Sequence, residues 1–170
     1  MKKNLVLLGM MGVGKTTLGK IVAKKIDLKF IDTDANIEKN CLMKISEIFK
    51  KKGEEFFRLE EEKEVLKSIK VRDSVVALGG GAFINKVVRD SILKNSISIW
   101  LDVNLNDLNK RIKWGNKRPL LINKENIQKK INELYGKRKG IYKLANHRIN
   151  CNNLSKETIT KKIINFYEKY

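Results

Sequence analysis

The sequence predicts an α/β fold in which helices cover both faces of a parallel sheet. Short apolar runs alternate with stretches of helical spacing along the whole chain, as in βαβ units. The runs are continuous, as in Val75–Leu78, which is typical of strands buried on both faces. The first run leads directly into a glycine-rich loop and a helical stretch. No repeat or linker divides the chain, so we expect one domain over residues 1–170.

The individual elements follow from the same patterns. Five short apolar runs are predicted as strands: Leu5–Leu8, Lys29–Ile31, Ser74–Leu78, Ser96–Leu101 and His147–Asn150. Other stretches space their apolar residues as a helix does. The predicted helices are Thr16–Ile26, Glu54–Lys70, Lys86–Leu93, Leu105–Ile112, Glu125–Leu144 and Lys156–Tyr167.

The charge balance bears on possible partners. The chain carries 37 Lys and Arg against 19 Asp and Glu, a formal net charge of +18. Such an excess can mark a protein that binds nucleic acid, or it can reflect lysine as the ordinary surface residue. The lysines are spread along the chain and aromatic residues seldom lie among them. We therefore favour a solvated surface with no nucleic acid as partner, whose field draws anionic substrates inward.

The cysteines and apolar runs bear on the compartment. Cys41 and Cys151 lack metal or redox spacing, so we expect reduced thiols in a reducing compartment. No apolar run is long enough to span a bilayer, and Met1 leads into the first strand without a signal peptide. We expect a cytoplasmic monomer with no membrane partner.

The strongest motif is GMMGVGKT (Gly9–Thr16), which has the P-loop spacing G-x-x-x-x-G-K-[ST] between a strand and a helix. Its glycines let backbone N–H groups approach phosphate oxygens at the positive end of the following helix. Lys15 is expected to reach the β- and γ-phosphates of a nucleoside triphosphate, and the Thr16 hydroxyl to bind Mg²⁺. A dinucleotide site is disfavoured, because Thr17 stands where that fingerprint has its third glycine.

Two carboxylates, Asp32 and Asp34, follow the second strand, where parallel α/β sheets bind ligands. The run Val75–Leu78 ends without an aspartate, so Asp32 is the remaining candidate to hold Mg²⁺. Asp34 can then meet an acceptor hydroxyl as hydrogen-bond partner or as base. The alternative is a pair that caps a helix opening at Ala35, and Asp34 can do both.

A candidate acceptor site comes from Arg58 and Glu61, which lie three apart on a predicted helix and share a face. Glu61 can orient the guanidinium, and Arg58 can grip a planar carboxylate with two hydrogen bonds. A surface ion pair is the alternative. The three glycines Gly79, Gly80 and Gly81 allow a ligand close to the backbone.

A polar loop between two predicted helices holds the only proline, Pro119, next to Arg118. We expect a lid over about residues 112–124 that closes on ATP and brings Arg118 to the transferring phosphoryl group. Arg138, four residues before Tyr142, is a candidate second anion clamp. Considered alone, it would be interpreted as a solvated charge among lysines.

Together the motifs resemble those of the shikimate kinases. A P-loop, D-T-D, F-R-x-x-E, G-G-G, R-P-L-L and R-x-x-x-Y follow in that order between about Leu5 and Ala145. The resemblance implies the nucleoside-monophosphate-kinase fold, a three-layer α/β/α P-loop kinase with five parallel strands in the order 2-3-1-4-5. It also implies transfer of the γ-phosphoryl group of ATP to the 3-hydroxyl of shikimate, in the route to chorismate and the aromatic amino acids.

The resemblance further implies a role for each matched residue. For phosphoryl transfer these are Lys15, Asp34 and Arg118. For ATP they are Gly12, Val13, Gly14, Lys15, Thr16, Thr17, Arg111 and Arg118, with Arg111 beside the adenine. For shikimate they are Asp34, Arg58, Glu61, Gly79, Gly80, Gly81 and Arg138, with both of these arginines on its carboxylate. For Mg²⁺ they are Thr16 and Asp32.

Two departures from the family pattern concern the lid and the helix that follows it. The lid contains Trp114 and little glycine, and Gly140 lacks the proline that the family usually has nearby. Neither departure removes a matched charged residue. Two other functions stay open: a P-loop kinase for gluconate or a nucleoside monophosphate, and a basic nucleic-acid-binding protein with a vestigial loop.

Overall fold

The structure is a computed structural model that describes residues 3–113 and 127–170, without the side chains of residues 110–113. Its strands are β1 (Asn4–Leu8), β2 (Lys29–Asp32), β3 (Ser74–Ala77), β4 (Ser96–Asp102) and β5 (His147–Asn150). Its helices are α1 (Lys15–Lys25), α2 (Thr33–Cys41), α3 (Ile45–Ser68), α4 (Lys86–Asn95), α5 (Leu105–Lys113), α6 (Ile127–Tyr142) and α7 (Lys156–Tyr167), and a 3₁₀ turn spans Ala82–Ile84.

The strands form one parallel sheet in the order β2-β3-β1-β4-β5. The predicted fold class and strand order are therefore confirmed. Leu5 on the central strand pairs with Val75 on β3 and with Ile97 on β4. All five residues of β1 are buried, because helices such as α1 and α4 pack on the sheet. The carboxyl ends of β1, β2 and β3 consequently open at one edge, next to the phosphate loop.

Two helical segments differ from the prediction. Helix α3 begins at Ile45 rather than Glu54, and Gly53, at φ +84°, interrupts its regular geometry. Helix α2 is missing from the predicted helices, although a helix opening at Ala35 was the alternative interpretation of Asp32 and Asp34. It begins directly after Asp32, whose Oδ1 atom accepts a hydrogen bond of 3.1 Å from the backbone N–H of Ala35. Asp32, rather than Asp34, is therefore the residue that caps this helix. A helix start that depends on a side-chain cap is not revealed by the spacing of apolar residues.

The buried apolar residues form two groups. The main core lies around β1 and β4 and includes Leu7, Ile99 and Trp100. A small cluster, Ile37, Ile48 and Phe57, joins α2 to α3 away from the main core. The helices that follow β2 thus have a separate apolar contact of their own.

Neither cysteine forms a disulfide, since both Cys41 and Cys151 are thiols. Cys151 is buried and Cys41 partly buried, as expected from the sequence. Within residues 3–113 and 127–170, no helix has both the length and the apolar character needed to cross a bilayer.

Candidate active site

The phosphate loop leaves β1 through glycines whose backbone other residues rarely adopt. Gly9, Gly12 and Gly14 have φ values of +140°, +82° and +101°, in the region that favours glycine. A methyl group at Gly9 would also lie 2.5 Å from the carbonyl oxygen of Leu101 on β4. Helix α1 then starts at Lys15, after Gly14 as N-cap, with neither a capping side chain nor an acidic residue in its first turn. Its first N–H groups are therefore available to an anion.

Lys15 lies inside this loop. Its Nζ atom donates hydrogen bonds to the carbonyl oxygens of Gly9, at 2.8 Å, and Met10, at 2.9 Å. The side chain is buried, so the loop holds a fixed positive charge at the mouth of α1. A phosphate bound there would meet both this charge and the amide dipoles of the helix.

Thr16 and Asp32 supply two oxygen ligands side by side. The Thr16 hydroxyl donates a hydrogen bond of 2.6 Å to Oδ2 of Asp32. Among the residues that the structure describes, no group of three or more acidic, histidine or cysteine side chains could hold a metal. Mg²⁺ commonly binds to one or two protein oxygens together with phosphate and water. The Thr16–Asp32 pair fits that donor set.

Three glycines after β3 form the meeting point of four charged side chains. A methyl group at Gly79 would lie 2.5 Å from Oδ1 of Asp34 and 2.7 Å from Oε1 of Glu61. At Gly81 a methyl would lie 2.5 Å from Nη1 of Arg58, and at Gly80 3.4 Å from Nη1 of Arg138. The first three of these distances are shorter than real side-chain contacts, so a larger residue at Gly79 or Gly81 would displace the charged ends of Asp34, Glu61 or Arg58.

Thr33 fixes the start of this glycine run. It is fully buried, and its hydroxyl donates to the carbonyl oxygen of Ala77 at 3.2 Å. The hydroxyl oxygen of Thr33 in turn accepts a hydrogen bond of 3.1 Å from the backbone N–H of Gly79. One hydroxyl thus joins the first turn of α2 to the end of β3, which sets the position of neighbouring Asp34 against Gly79.

Arg58 is held between two carboxylates. Its Nη1 atom lies 2.6 Å from Oε2 of buried Glu61, and its Nη2 atom lies 3.0 Å from Oε1 of exposed Glu54. Arg58 and Arg138 line a cleft of about 390 Å³, here named the arginine cleft, together with Glu54, Glu61, Gly81 and Lys137. Two guanidinium groups on one cleft suit a carboxylate or another planar anion.

Two polar atoms near the glycine run have no hydrogen-bond partner among the described residues. They are Oδ1 of Asp34 and Nη1 of Arg138, and both are buried. A buried polar atom without a partner is costly. Because one is an acceptor and the other a donor, both fit a ligand that carries a hydroxyl as well as an anionic group.

Burial and neighbouring charges shift the pKa values of the ionisable side chains around the glycine run. Burial, with help from Glu61 and Asp32, raises the pKa of Asp34 to about 7, and the Lys15 ammonium opposes this. Burial also raises the pKa of Glu61, although Arg58 and Arg138 act to lower it. Burial alone would lower the pKa of Arg58, but the ion pair with Glu61 outweighs it and the net shift is upward. Asp34 can therefore exchange a proton near neutral pH.

A second cleft, the phosphate cleft, has a volume of about 380 Å³ and meets the arginine cleft at the glycine run. Its lining includes Lys15, Thr16, Asp32, Asp34 and Gly80. The arrangement provides an anion site at the mouth of α1, a second anion site between two arginines, and a carboxyl group of near-neutral pKa beside the first. Such a layout suits transfer of a phosphoryl group to a hydroxyl on an anionic acceptor.

The structure brings together most residues predicted from the sequence. The phosphate cleft also contains Gly12, Gly14 and Thr17. Val13 differs, because its side chain is buried in the core and only its backbone can face a phosphate. Arg118 and residues 114–124 of the predicted lid lie outside the described residues, as does the side chain of Arg111.

Three contributors were not predicted: Glu54, Thr33 and the hydroxyl of Tyr142. Glu54 lies four residues before Arg58, a helical spacing at which ion pairs form, so a sequence signal existed. Thr33 stands between two aspartates, and its residue type and spacing alone do not indicate a role in the site. The contact of Tyr142 with Gly80 joins residues far apart in the chain, and no local pattern reveals it.

Comparison with known proteins gives a consistent result. The family model for shikimate kinase matches residues 11–168. A shikimate kinase of Bartonella henselae is 42% identical over 166 residues, which cover 98% of this chain and 79% of that protein. The structure of shikimate kinase from Acinetobacter baumannii in complex with shikimate superposes with a TM-score of 0.94 at 29% identity, covering 99% of this chain and 94% of that one. A gluconokinase from Sinorhizobium meliloti, with a TM-score of 0.62 at 15% identity over 98% of this chain and 92% of that one, shares the fold alone.

Proposed function

The chain belongs to the shikimate kinase family, and on that basis we propose how its residues divide the transfer of the γ-phosphoryl group of ATP to the 3-hydroxyl of shikimate. The protein is an ATP-dependent shikimate kinase, which serves chorismate and aromatic amino acid biosynthesis. The observation that supports the division of roles is the meeting of Asp34, Arg58, Glu61 and Arg138 around Gly79–Gly81, beside the phosphate loop.

The phosphate loop binds the triphosphate of ATP. Backbone N–H groups between Gly12 and Thr17 donate to phosphate oxygens, and the positive end of α1 adds to the attraction. Lys15 contributes its ammonium to the β- and γ-phosphates, where negative charge is greatest during transfer. Its two carbonyl contacts hold the ammonium at the loop and reduce the reorganisation that ATP binding requires.

Thr16 and Asp32 would hold Mg²⁺ through the oxygen pair described above. A bound Mg²⁺ would supply positive charge to the triphosphate during transfer. Asp32 keeps its other oxygen on the backbone of Ala35, so the carboxylate is oriented before any metal arrives.

The arginine cleft binds the carboxylate of shikimate. Arg58 and Arg138 provide the charge-assisted hydrogen bonds, and buried Glu61 holds Arg58 in place. The glycines let the ring of shikimate approach the backbone closely, because no side chain projects from positions 79–81. Recognition of the carboxylate in this cleft directs the hydroxyl groups towards Asp34.

Asp34 accepts the proton of the attacking hydroxyl. The hydroxyl oxygen forms a bond to the γ-phosphorus, the bond from that phosphorus to the β–γ bridging oxygen breaks, and ADP leaves. A carboxyl group with a pKa of about 7 suits this exchange, since a general base works best when its pKa lies near the working pH.

The remaining assignments rest on the sequence and the family resemblance. We propose that Arg118, on a lid over about residues 112–124, stabilises the transferring phosphoryl group and that Arg111 flanks the adenine. The two thiols support a reducing, cytoplasmic location. We propose a monomer that needs no nucleic acid or membrane partner, which sedimentation of the purified protein can test.

A three-acceptor assay tests the function. ADP release is measured with ATP and Mg²⁺ in the presence of shikimate, gluconate or AMP, with the Lys15→Ala protein as the control for contaminating kinases. We expect release that depends on shikimate alone. Release with AMP only, or with gluconate only, would overturn the assignment of the acceptor.

A further inference from the structure

The hydroxyl of Tyr142 connects the two halves of the site. Tyr142 is the last residue of α6 and is only 1% exposed, with its ring 5.9 Å from that of Trp100. Its hydroxyl donates a hydrogen bond to the carbonyl oxygen of Gly80 and lies 3.8 Å from the sulfur of Met10. Met10 belongs to the phosphate loop, whereas Gly80 belongs to the glycine run of the acceptor side. One buried hydroxyl therefore contacts both loops.

Gly80 is the point at which these two loops touch. A methyl group there would lie 3.4 Å from the backbone nitrogen of Met11 and 3.7 Å from the carbonyl oxygen of Gly9. The peptide of Gly80 therefore packs directly on the phosphate loop. The same residue lines the phosphate cleft, and the next one, Gly81, lines the arginine cleft. A small displacement of Gly80 would alter the distance between the two ligands.

We propose that Tyr142 is a positioning residue that holds the Gly80 peptide against the phosphate loop and so sets the acceptor site in register with ATP. The inference rests on the proposed function. Tyr142 contacts Gly80 through its hydroxyl, and its ring belongs to the main core. These two contributions can be separated by substitution with phenylalanine, which keeps the ring and removes the hydrogen bond.

Tyr142 also lies one helical turn beyond Arg138 on α6. The bond to Gly80 therefore ties the helix that carries one guanidinium to the glycines that this guanidinium faces. Without the hydroxyl, the carbonyl of Gly80 loses a buried partner, and the glycine run gains freedom relative to both Arg138 and Met11. We expect the loss to appear in acceptor binding more than in ATP binding, because the phosphate loop keeps its own contacts to Lys15.

The test compares Tyr142→Phe with Tyr167→Phe. Tyr167 is a matched control: it is 4% exposed, and its hydroxyl also donates to a backbone carbonyl, that of Lys3 at 3.0 Å. For Tyr142→Phe we expect KM for shikimate to rise roughly tenfold, as for a lost buried hydrogen bond, with KM for ATP changed less than about twofold. Tyr167→Phe should leave both constants unchanged. An unchanged KM for shikimate, or equal rises in both KM values, would overturn the proposal.

A substrate-free measurement separates this inference from the proposed function. Hydrogen exchange at the backbone amides of Gly80, Gly81 and Ala82 should become faster in Tyr142→Phe and stay unchanged in Tyr167→Phe, whatever the acceptor proves to be. Unchanged exchange at these amides in Tyr142→Phe would show that the hydroxyl does not act through Gly80.

Discussion

A methyl group at Gly79 would lie 2.5 Å from Oδ1 of Asp34, closer than a real side chain carbon approaches an oxygen. The substitution Gly79→Ala must therefore displace Asp34 or the adjacent Glu61 carboxylate. We expect kcat/KM for shikimate to fall about 100-fold, since displacements near 1 Å in a catalytic site have that effect. Steady-state ADP release measures it.

The control is Gly136→Ala, at an exposed position of α6. A methyl at Gly136 meets no atom within 4 Å, and alanine favours a helix by up to about 1 kcal/mol over glycine. This variant should keep full activity and unfold at slightly higher urea concentration. Equal activity of the two variants would show that the space at Gly79 is not needed.

Asp34 is predicted to destabilise the ligand-free protein at neutral and alkaline pH. Its pKa is raised from an ordinary 3.8 to about 7, so the folded state binds a proton more tightly than the unfolded state does. The resulting cost is complete above about pH 7 and disappears as the pH falls towards 4. Asp34→Asn should therefore increase the free energy of unfolding, on the order of 3 kcal/mol at pH 8, and by less at pH 5.

Urea unfolding at both pH values measures this effect. Asp27→Asn is the control, because Asp27 is exposed and its φ of 55° is one that asparagine also adopts. A gain from Asp34→Asn that is larger at pH 5 than at pH 8 would contradict the assigned charge state. In the activity assay the same variant should lose kcat far more than ATP affinity, whereas equal losses would indicate a structural role.

Arg58→Ala is expected mainly to weaken binding of the acceptor. The substitution removes the proposed charged contact to the shikimate carboxylate and leaves Glu61 buried without its ion pair. Loss of such a contact costs about 2–5 kcal/mol when it is desolvated, so KM for shikimate should rise by at least roughly 30-fold. KM for ATP serves as the internal reference. An unchanged KM for shikimate would remove Arg58 from the binding site.

Glu54→Gln should act in the opposite direction. Exposed Glu54 occupies Nη2 of Arg58 at 3.0 Å, where it would compete with the carboxylate of shikimate in the proposed site. Exposed ion pairs contribute up to about 1 kcal/mol, so KM for shikimate should fall by up to about fivefold. Glu55→Gln removes the same charge one residue along, outside the arginine cleft, and should have no effect. A higher KM in Glu54→Gln would mean that Glu54 supports Arg58 instead.

Lys15→Ala should abolish phosphoryl transfer and keep the fold. The ammonium contacts two loop carbonyls that water can satisfy after its removal, so the circular dichroism spectrum should not change. Lys24→Ala, on the exposed side of the same helix, is the control for lost positive charge. Residual ADP release in Lys15→Ala equal to that of Lys24→Ala would exclude a catalytic role for Lys15.

The sequence predicted the centre of the sheet well because β1, β3 and β4 are fully buried runs that local pattern reveals. The helix prediction was incomplete in two segments, where the local residue pattern does not match the structure. Helix α2 has few apolar residues and depends on the cap at Asp32, and the first turns of α3 end at a glycine that reads as a loop. In these segments tertiary packing of Ile37 and Ile48 decides the conformation.

The residue types of the candidate site were predictable from the sequence, but the residues that hold them in position were not. A P-loop, paired aspartates and an arginine three residues before a glutamate each follow from residue type and spacing. Thr33 acts through Ala77 and Gly79, more than 40 residues away in the chain. Contacts between strands that are distant in sequence leave no periodic trace, so only the folded structure reveals them.

The small cluster of Ile37, Ile48 and Phe57 has a consequence for how this enzyme can diversify. Asp34 and Arg58 stand on the two helices that this cluster joins, whereas Lys15 follows a strand of the main core. Mutations that repack these three side chains could change which acceptor alcohol binds and leave the phosphate loop unaltered. The helices that carry these two acceptor residues are thereby packed apart from the phosphate loop, which makes the α2–α3 pair the natural starting point for engineering a new specificity.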